Sequence, residues 1–214
     1  MQQQTQAGNQ TQTQGAQHMN HGGHELFDMH EALGCAVNVL DQFMIFRQFV
    51  QDNELLDILD RQYNFMLSQY NLTAECFATG QKPSQETATY KIKNMTQPIY
   101  GIKPTQPKKP CQSLAEMKDE CISGFMIGLV KSHASTLTMT ANEVTNPVVR
   151  RVLASQVENF IEMAYEIFLY QNKHAYYQVP QLPASDMQIM LNSFAPATGT
   201  PQMPANNKAS VTFH

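Results

Sequence analysis

A chain of 214 residues with a formal net charge of -4 and a pI near 5.9 has room for one domain plus tails. The mild acidity excludes a general nucleic-acid binder, which needs a basic face. Only 15% of the residues are charged, so the surface leans on Gln, Asn, Thr and Ser, a neutral coat that repels other copies weakly and suits assembly.

The most apolar run, Cys121 to Val130, is interrupted by Ser123, Gly124 and Gly128 and is too short to cross a bilayer. The opening MQQQTQAGNQ lacks the basic and apolar regions of a secretory signal. Synthesis in the cytoplasm without a signal peptide is therefore expected, with neither a membrane nor a nucleic acid as partner. Cys35, Cys76, Cys111 and Cys121 show no CxxC pair and no zinc-ligand spacing. Free, mostly buried thiols are expected, pairing being left to an oxidised final assembly.

Residues 1–22 are rich in Gln and Thr and nearly devoid of large apolar side chains, which predicts a disordered tail or an attachment arm. From about residue 24 to 50 the pattern is helical. Leu26, Met29, Leu33, Val37, Leu40, Met44 and Phe46 recur at spacings of mostly three and four, giving a helix of about 40 Å with one apolar face. Asp52 then reads as the N-cap of a second helix, 53–77, with Glu54 favoured at its positive start. Its face carries Leu55, Leu56, Leu59, Tyr63, Met66, Leu67, Tyr70 and Ala74. So short a turn forces an antiparallel hairpin.

Residues 78–112 contain Pro83, Pro98, Pro104, Pro107 and Pro110, which excludes a continuous helix and predicts an extended strap able to reach about 100 Å. Ser113-Leu114-Ala115-Glu116 reads as a capping box opening a third helix, 113–141. The expected buried face is Met117, Cys121, Phe125, Met126, Leu129, His133 and Leu137. Gly124, Gly128 and Ser132, four apart, form a smooth stripe where another backbone can approach; close packing would offset the helical cost of two glycines, about 1 kcal/mol each.

Asn146 caps a fourth helix, 147–172, and Pro147 sits in its first turn, where a missing amide costs nothing. Val149, Leu153, Val157, Phe160, Ala164 and Ile167 or Phe168 make its face. Residues 181–214 are a Pro/Ala/Asn-rich tail with a short docking segment at Met187 to Leu191. The residues thus predict an all-α protein. Residues 23–180 form a four-helix bundle of two antiparallel hairpins joined by a long Pro-rich crossover, flanked by disordered tails. Asp52 and Asn146 hold equivalent places in the two hairpins.

Such a bundle invites a di-metal carboxylate site, which needs Glu-x-x-His on two helices. The second helix has no histidine, and Glu158, Glu162 and Glu166 are followed three residues later by Ile161, Tyr165 and Leu169. An alternative metal site is the His21, His24, Asp28, His30, Glu31 cluster, where His24, Asp28 and Glu31 share a helix face and could bind a divalent ion. A metal-binding or redox protein using that cluster is the competing reading; an exposed polar helix start is the simpler one. Glu158, Glu162 and Glu166 read as a solvated acidic stripe, with Arg150, Arg151 and Lys131 as available partners. His133 reads as a satisfied histidine at a helix interface. No nucleophile triad, P-loop or dinucleotide fingerprint occurs, so no enzyme, catalytic residue or cofactor is expected.

The run KSHASTLTMTANEVTNPVVRRVL, followed by EIFLYQNKHAYYQVP, resembles the coat-F-type spore coat proteins of endospore-forming bacteria. The matching features are Lys131, Glu143, Asn146-Pro147, Arg150 and the closing Tyr176-Tyr177; HELFDMHEALGCAVNVL is similar to the first hairpin of longer members. The family commonly places glycine just before the terminal tyrosine, whereas His174-Ala175 stand there in this chain. The resemblance, over about residues 24–180, implies a ferritin-like bundle, a place in the spore coat, other coat proteins as partners with self-association, and no catalytic residues to transfer. Tyr90, Tyr100, Tyr165, Tyr170, Tyr176 and Tyr177, with Lys103, Lys108, Lys109 and the tail glutamines, are the expected adhesive or cross-linking points. Tyr176-Tyr177 is the expected attachment end, and Gly124, Gly128 and Ser132 the expected packing face.

Overall fold

The computed structural model describes residues 21–204. The expected N-terminal tail lies almost wholly outside the described residues, as do the last ten positions of the C-terminal one. The described residues are helical: α1 Gly23–Arg47, α2 Asn53–Thr79, a single 3-10 turn Leu114–Glu116, α3 Asp119–Glu143, α4 Pro147–Lys173 and α5 Ala184–Leu191. They fall into two compact units divided after Val179.

In the first unit, α1, α2, α4 and α3 pack in that cyclic order. The direction of each helix follows from its end contacts. The start of α1 meets the end of α3, where the Glu25 carboxylate accepts from the Thr145 amide at 3.0 Å. The start of α2 meets the end of α4, where Lys173 Nζ reaches Glu54 at 2.7 Å. Neighbouring helices are therefore antiparallel, while α2 and α3 run the same way. Two consecutive helices that point the same way need a connection spanning their length, and this is the physical reason for the strap between them.

Local chemistry sets the helix ends. Asp52 accepts from the Glu54 amide at 2.7 Å, and Asn146 accepts from the Val148 and Val149 amides at 2.9 and 3.1 Å, so the second helix of each hairpin carries a side-chain cap. Helix α2 ends on Gly80, whose φ of 63° is a left-handed conformation that costs a glycine nothing. Helix α4 ends in a Schellman motif: the Tyr176 amide donates to Gln171 O at 2.8 Å and the Ala175 amide to Asn172 O at 3.1 Å. The left-handed position there is Ala175, with φ 59°, a conformation that favours glycine.

The capping box at Ser113–Glu116 does not open α3. Ser113 makes no side-chain cap, Glu116 reaches back to the Gln112 amide at 3.3 Å instead, and extended backbone at Met117 and Lys118 delays the helix to Asp119. The buried face of α1 is also not the expected one. Glu25, Met29, Ala32, Val39, Leu40 and Phe43 are buried, whereas Leu26, Val37 and Met44 are exposed. With apolar residues all around α1, spacing alone admits two phases, and the small Ala32 lets a neighbouring helix come close on the phase adopted. On α3 the buried set is Ile122, Ser123, Met126, Ile127, Val130, His133, Leu137 and Thr140; Phe125 turns outward and stacks beside Phe46 at 5.5 Å.

The second unit holds α5. A helix therefore forms where composition predicts an unstructured tail, and its Ile189, Met190 and Leu191 are exposed, as is the following Phe194.

Candidate functional site

Polar groups buried between the helices define the site, and most of them grip the strap. At one end of the first unit, Glu25 is fully buried at the start of α1. Its Oε2 accepts from Thr145 Oγ1 at 2.5 Å and from the Thr145, Asn146 and Gly22 amides at 3.0, 3.2 and 3.3 Å. Its Oε1 lies 2.8 Å from His21 Nδ1, and His21 Nε2 lies 2.8 Å from Phe77 O at the end of α2. Burial alone would raise the Glu25 pKa; the hydrogen bonds from Thr145, His21 and the amides outweigh it and hold the carboxyl below the ordinary glutamate range. One carboxylate thus joins three helix ends. Beside it, Asn146 Nδ2 donates to Gly80 O at 3.1 Å, where the strap leaves α2.

Midway along α4, Asn159 takes hold of the strap with both ends of its amide, accepting from the Tyr90 amide at 2.8 Å and donating to Ala88 O at 3.0 Å. Two turns onward lies Glu166, buried and shared by four partners. Arg61 Nη2 donates to its Oε1 at 2.7 Å, Gln62 Nε2 to its Oε2 at 3.2 Å and the Lys93 amide to its Oε1 at 3.3 Å, while the Tyr90 hydroxyl also donates to it. Arg61 Nε in turn meets Asp57 at 2.8 Å, and Lys93 Nζ meets the other Asp57 oxygen at 2.8 Å. Burial first, and then the bond to Glu166, push the Tyr90 phenol above its ordinary pKa. For Arg61 burial opposes the charge, but the bonds to Glu166 and Asp57 outweigh it and raise its pKa.

At the far end, Asn172 accepts from the Ile99 amide at 2.6 Å and donates to Ile99 O at 2.9 Å and Tyr177 O at 3.0 Å. Gln178 accepts from the Lys103 amide and donates to Lys103 O at 3.0 Å, and the Gly101 amide donates to Val179 O at 2.9 Å. Asn146, Asn159, Asn172 and Gln178 therefore fasten the strap in register from Gly80 to Lys103. A strap without a ladder partner leaves its amides and carbonyls needing hydrogen bonds, and a primary amide supplies donor and acceptor together.

The residues singled out from the sequence lie elsewhere. His24 and Asp28 form an i,i+4 pair at 2.8 Å on the surface of α1, and Glu31 is exposed without joining them. His21 is taken by Glu25 and Phe77, and His30 lies edge-on to the Phe77 ring at 6.2 Å. Among the described residues no group of three His, Cys, Asp or Glu side chains is placed to hold a metal ion. Gly124, Gly128 and Ser132 are exposed; a Cβ on Gly124 would meet only the Gln171 side chain, at 3.9 Å, and one on Gly128 nothing within 4 Å, so among the described residues no backbone of another element packs on the two glycines. Tyr176 packs among Tyr170 and His174, while the exposed Tyr177 lies edge-on to Phe168 at 5.3 Å with Lys131 Nζ 5.9 Å from its ring.

Four further expectations are corrected. Glu166 is not part of a solvated stripe with Glu158 and Glu162; it turns inward, and its cation is Arg61 rather than Arg150, Arg151 or Lys131. Tyr90 and Tyr170 are buried rather than available at the surface. Only Cys76 is fully buried; Cys111 is exposed and Cys35 and Cys121 are intermediate. His133 is buried beside Phe160, ring centroids 4.6 Å apart, but its Nδ1 has no hydrogen-bond partner among the described residues.

Glu25, Arg61, Asn159, Asn172 and Gln178 do not stand out in the sequence, and Glu166 stands out there only as part of the acidic stripe. A signal was present: Glu25 lies in phase with Met29, and Glu166 with Met163, so each is a charge on an apolar face. Helix periodicity discards such residues as exceptions, although burial of a carboxylate demands a partner.

The fold and these contacts define a class: an all-helical protein whose buried carboxylates, with Asn146, Asn159 and Asn172, hold its own connections together. A Coat F domain model matches residues 118–180, from just before α3 to just past the Schellman motif. The spore coat protein F-like protein YhcQ of Bacillus subtilis (strain 168) is 61% identical over 183 residues, covering 86% of this chain and 83% of that relative. The chain belongs to the coat F family of spore coat proteins. A crystal structure of a protein described as a spore coat protein from Bacillus halodurans superposes with a TM-score of 0.55 at 13% identity, over 77% of this chain and 96% of that one, a likeness of fold.

Proposed function

We propose that this chain is a structural protein of the bacterial spore coat, a ferritin-like four-helix bundle over residues 23–180 that works by packing against other coat proteins and against copies of itself. The observation that carries this reading is the use of the buried polar groups. The buried carboxylates Glu25 and Glu166, with the part-buried Arg61, are engaged in hydrogen bonds that join helix ends or fasten the strap. The 61% identity to a relative named as a spore coat F-like protein supports the location, and the antiparallel packing with a long crossover supports the ferritin-like topology.

The contact surface in this reading is built from exposed residues. The Gly124-Gly128-Ser132 stripe offers close approach to a partner helix, and Phe27, 75% exposed, and Ile161, 55% exposed, offer apolar contact. Tyr100, Tyr165 and Tyr177 are exposed phenols and Lys103 and Lys109 exposed amines on the strap, which suits covalent cross-linking as well as adhesion. Segments 1–22 and 181–214 act as tethers.

A fluorescent fusion in sporulating Bacillus subtilis tests the location: a shell around the forespore and recovery in coat extracts are expected, and a diffuse mother-cell signal absent from coat extracts overturns the reading. Treating intact spores with denaturant and reductant tests the cross-linking. Retention as high-mass species supports it, and full release as monomer leaves packing alone.

A further inference from the structure

The chain leaves the strap through a short folded loop before entering α3. The Gln112 amide donates to the Glu116 carboxylate at 3.3 Å, the Glu116 amide to Ser113 O at 3.2 Å and the Met117 amide to Leu114 O at 3.1 Å. Lys108 Nζ, just before the loop, holds Glu120 at 2.9 Å, just after it, and also donates to Tyr176 O at 3.0 Å. This folding returns the chain on itself and brings Cys111 Sγ to within 3.5 Å of Cys121 Sγ. Cys111 is exposed and Cys121 intermediate, so a reagent in solution can reach the pair.

We propose that Cys111 and Cys121 form an oxidative modification site, closing an intramolecular disulfide that ties the end of the strap to the first turn of α3. Closing from the observed contact to a bond of about 2.0 Å needs a shift of about 1.5 Å, which the exposed loop can supply. The oxidant is a low-molecular-weight disulfide. The Cys111 thiolate attacks one of its sulfurs and expels one thiolate, leaving a mixed disulfide on Cys111. The Cys121 thiolate then attacks the Cys111 sulfur and expels the second. Two protein thiols lose two electrons and two protons; the small disulfide gains them as two thiols. This inference rests on the loop geometry and not on the coat role.

The test equilibrates the full chain with mixtures of oxidised and reduced glutathione, folded in buffer and unfolded in urea, then quenches by alkylation and maps tryptic peptides. In the folded protein, peptides 109–118 and 119–131 are expected joined with the loss of two hydrogens. The equilibrium constant should exceed that of the urea-unfolded chain by at least about tenfold, because the fold holds the thiols together. Cys111→Ser should leave Cys121 open to alkylation with the melting temperature nearly unchanged. An equal or smaller constant in the folded protein, persistent glutathione adducts on the two separate thiols, or a dimer linked through Cys111 would each overturn the proposal.

Discussion

Arg61 on α2 meets Glu166 on α4 at 2.7 Å, and both side chains also bond to Tyr90 of the strap. The pair therefore joins two helices and a connection through one buried carboxylate. Removing the cation leaves Glu166 buried and short of a charge partner, a defect that costs roughly 3–5 kcal/mol for a fully buried pair. Arg61 keeps 28% of its side chain in water, so about 3 kcal/mol, the lower end, is expected for Arg61→Ala. Urea denaturation at neutral pH measures it; a loss below about 1 kcal/mol would show the pair to be no more than a surface bridge.

The strap clamps predict local rather than global loosening. Asn172→Ala deletes both bonds to Ile99, and because Ile99 is half exposed water takes their place, at a cost of about 0.5–1.5 kcal/mol per bond. Hydrogen exchange should quicken at Ile99 while the middle of α2 stays protected. Uniform quickening across the chain would mean that the strap and helices unfold as one unit.

His133 predicts a pH dependence. Burial lowers its pKa to about 4 from an ordinary value of about 6.5, so the folded protein keeps the ring neutral. The unfolded chain binds the proton first as pH falls, so stability is present above about 6.5 and is lost progressively down to about 4. Between pH 7 and pH 5 this amounts to about 2 kcal/mol. His133→Leu should flatten that part of the profile; an unchanged slope would remove His133 as its source.

Glu25 acts further into acid. Its folded pKa is held below the ordinary glutamate range, so its contribution is present above the unfolded value and lost as pH falls through the folded one. Glu25→Gln should weaken the fold at pH 7 by about 2 kcal/mol and remove the stability loss seen below about pH 4.5. Chemical denaturation of both proteins from pH 7 to pH 3 checks the crossover.

Two substitutions should stabilise. Ala175 holds a left-handed φ of 59°, which costs an alanine roughly 1 kcal/mol relative to glycine, so Ala175→Gly should raise the melting temperature. Gly128 lies in the interior of α3 with open space where a Cβ would go, and Gly128→Ala should add about 0.5–1 kcal/mol. If Gly128→Ala destabilised the isolated chain, the stripe would be packed inside it after all.

Much of the architecture was legible in sequence because its signals are local. The helical spacing on α2 and α4, the caps at Asp52 and Asn146, Pro147 at a first turn and the proline-marked strap each act within a few residues. Local patterns misled where they admitted two answers. Ser113 and Glu116 have capping-box spacing, yet the chain there makes one 3-10 turn, because extended Met117 and Lys118 break it from α3. Leu26 and Met29 both suit an apolar face, and only the packing of α1 on α2 and α3 buries Met29 and exposes Leu26.

By itself the sequence determined the helical class, the two hairpins, the crossover and the coat-F relationship, all of which depend on periodicity, caps and breakers read along the chain. The tertiary structure alone decided what the buried polar residues do. Glu25 meets Thr145, Arg61 meets Glu166, Asn172 meets Ile99 and Cys111 meets Cys121. The first three pairs are far apart in sequence and no local rule couples them. Each is selected by the need of a buried carboxylate or peptide group for a partner once water has been excluded. Cys111 and Cys121 are closer in the chain, but only the turn at Leu114–Glu116 brings their sulfurs into contact.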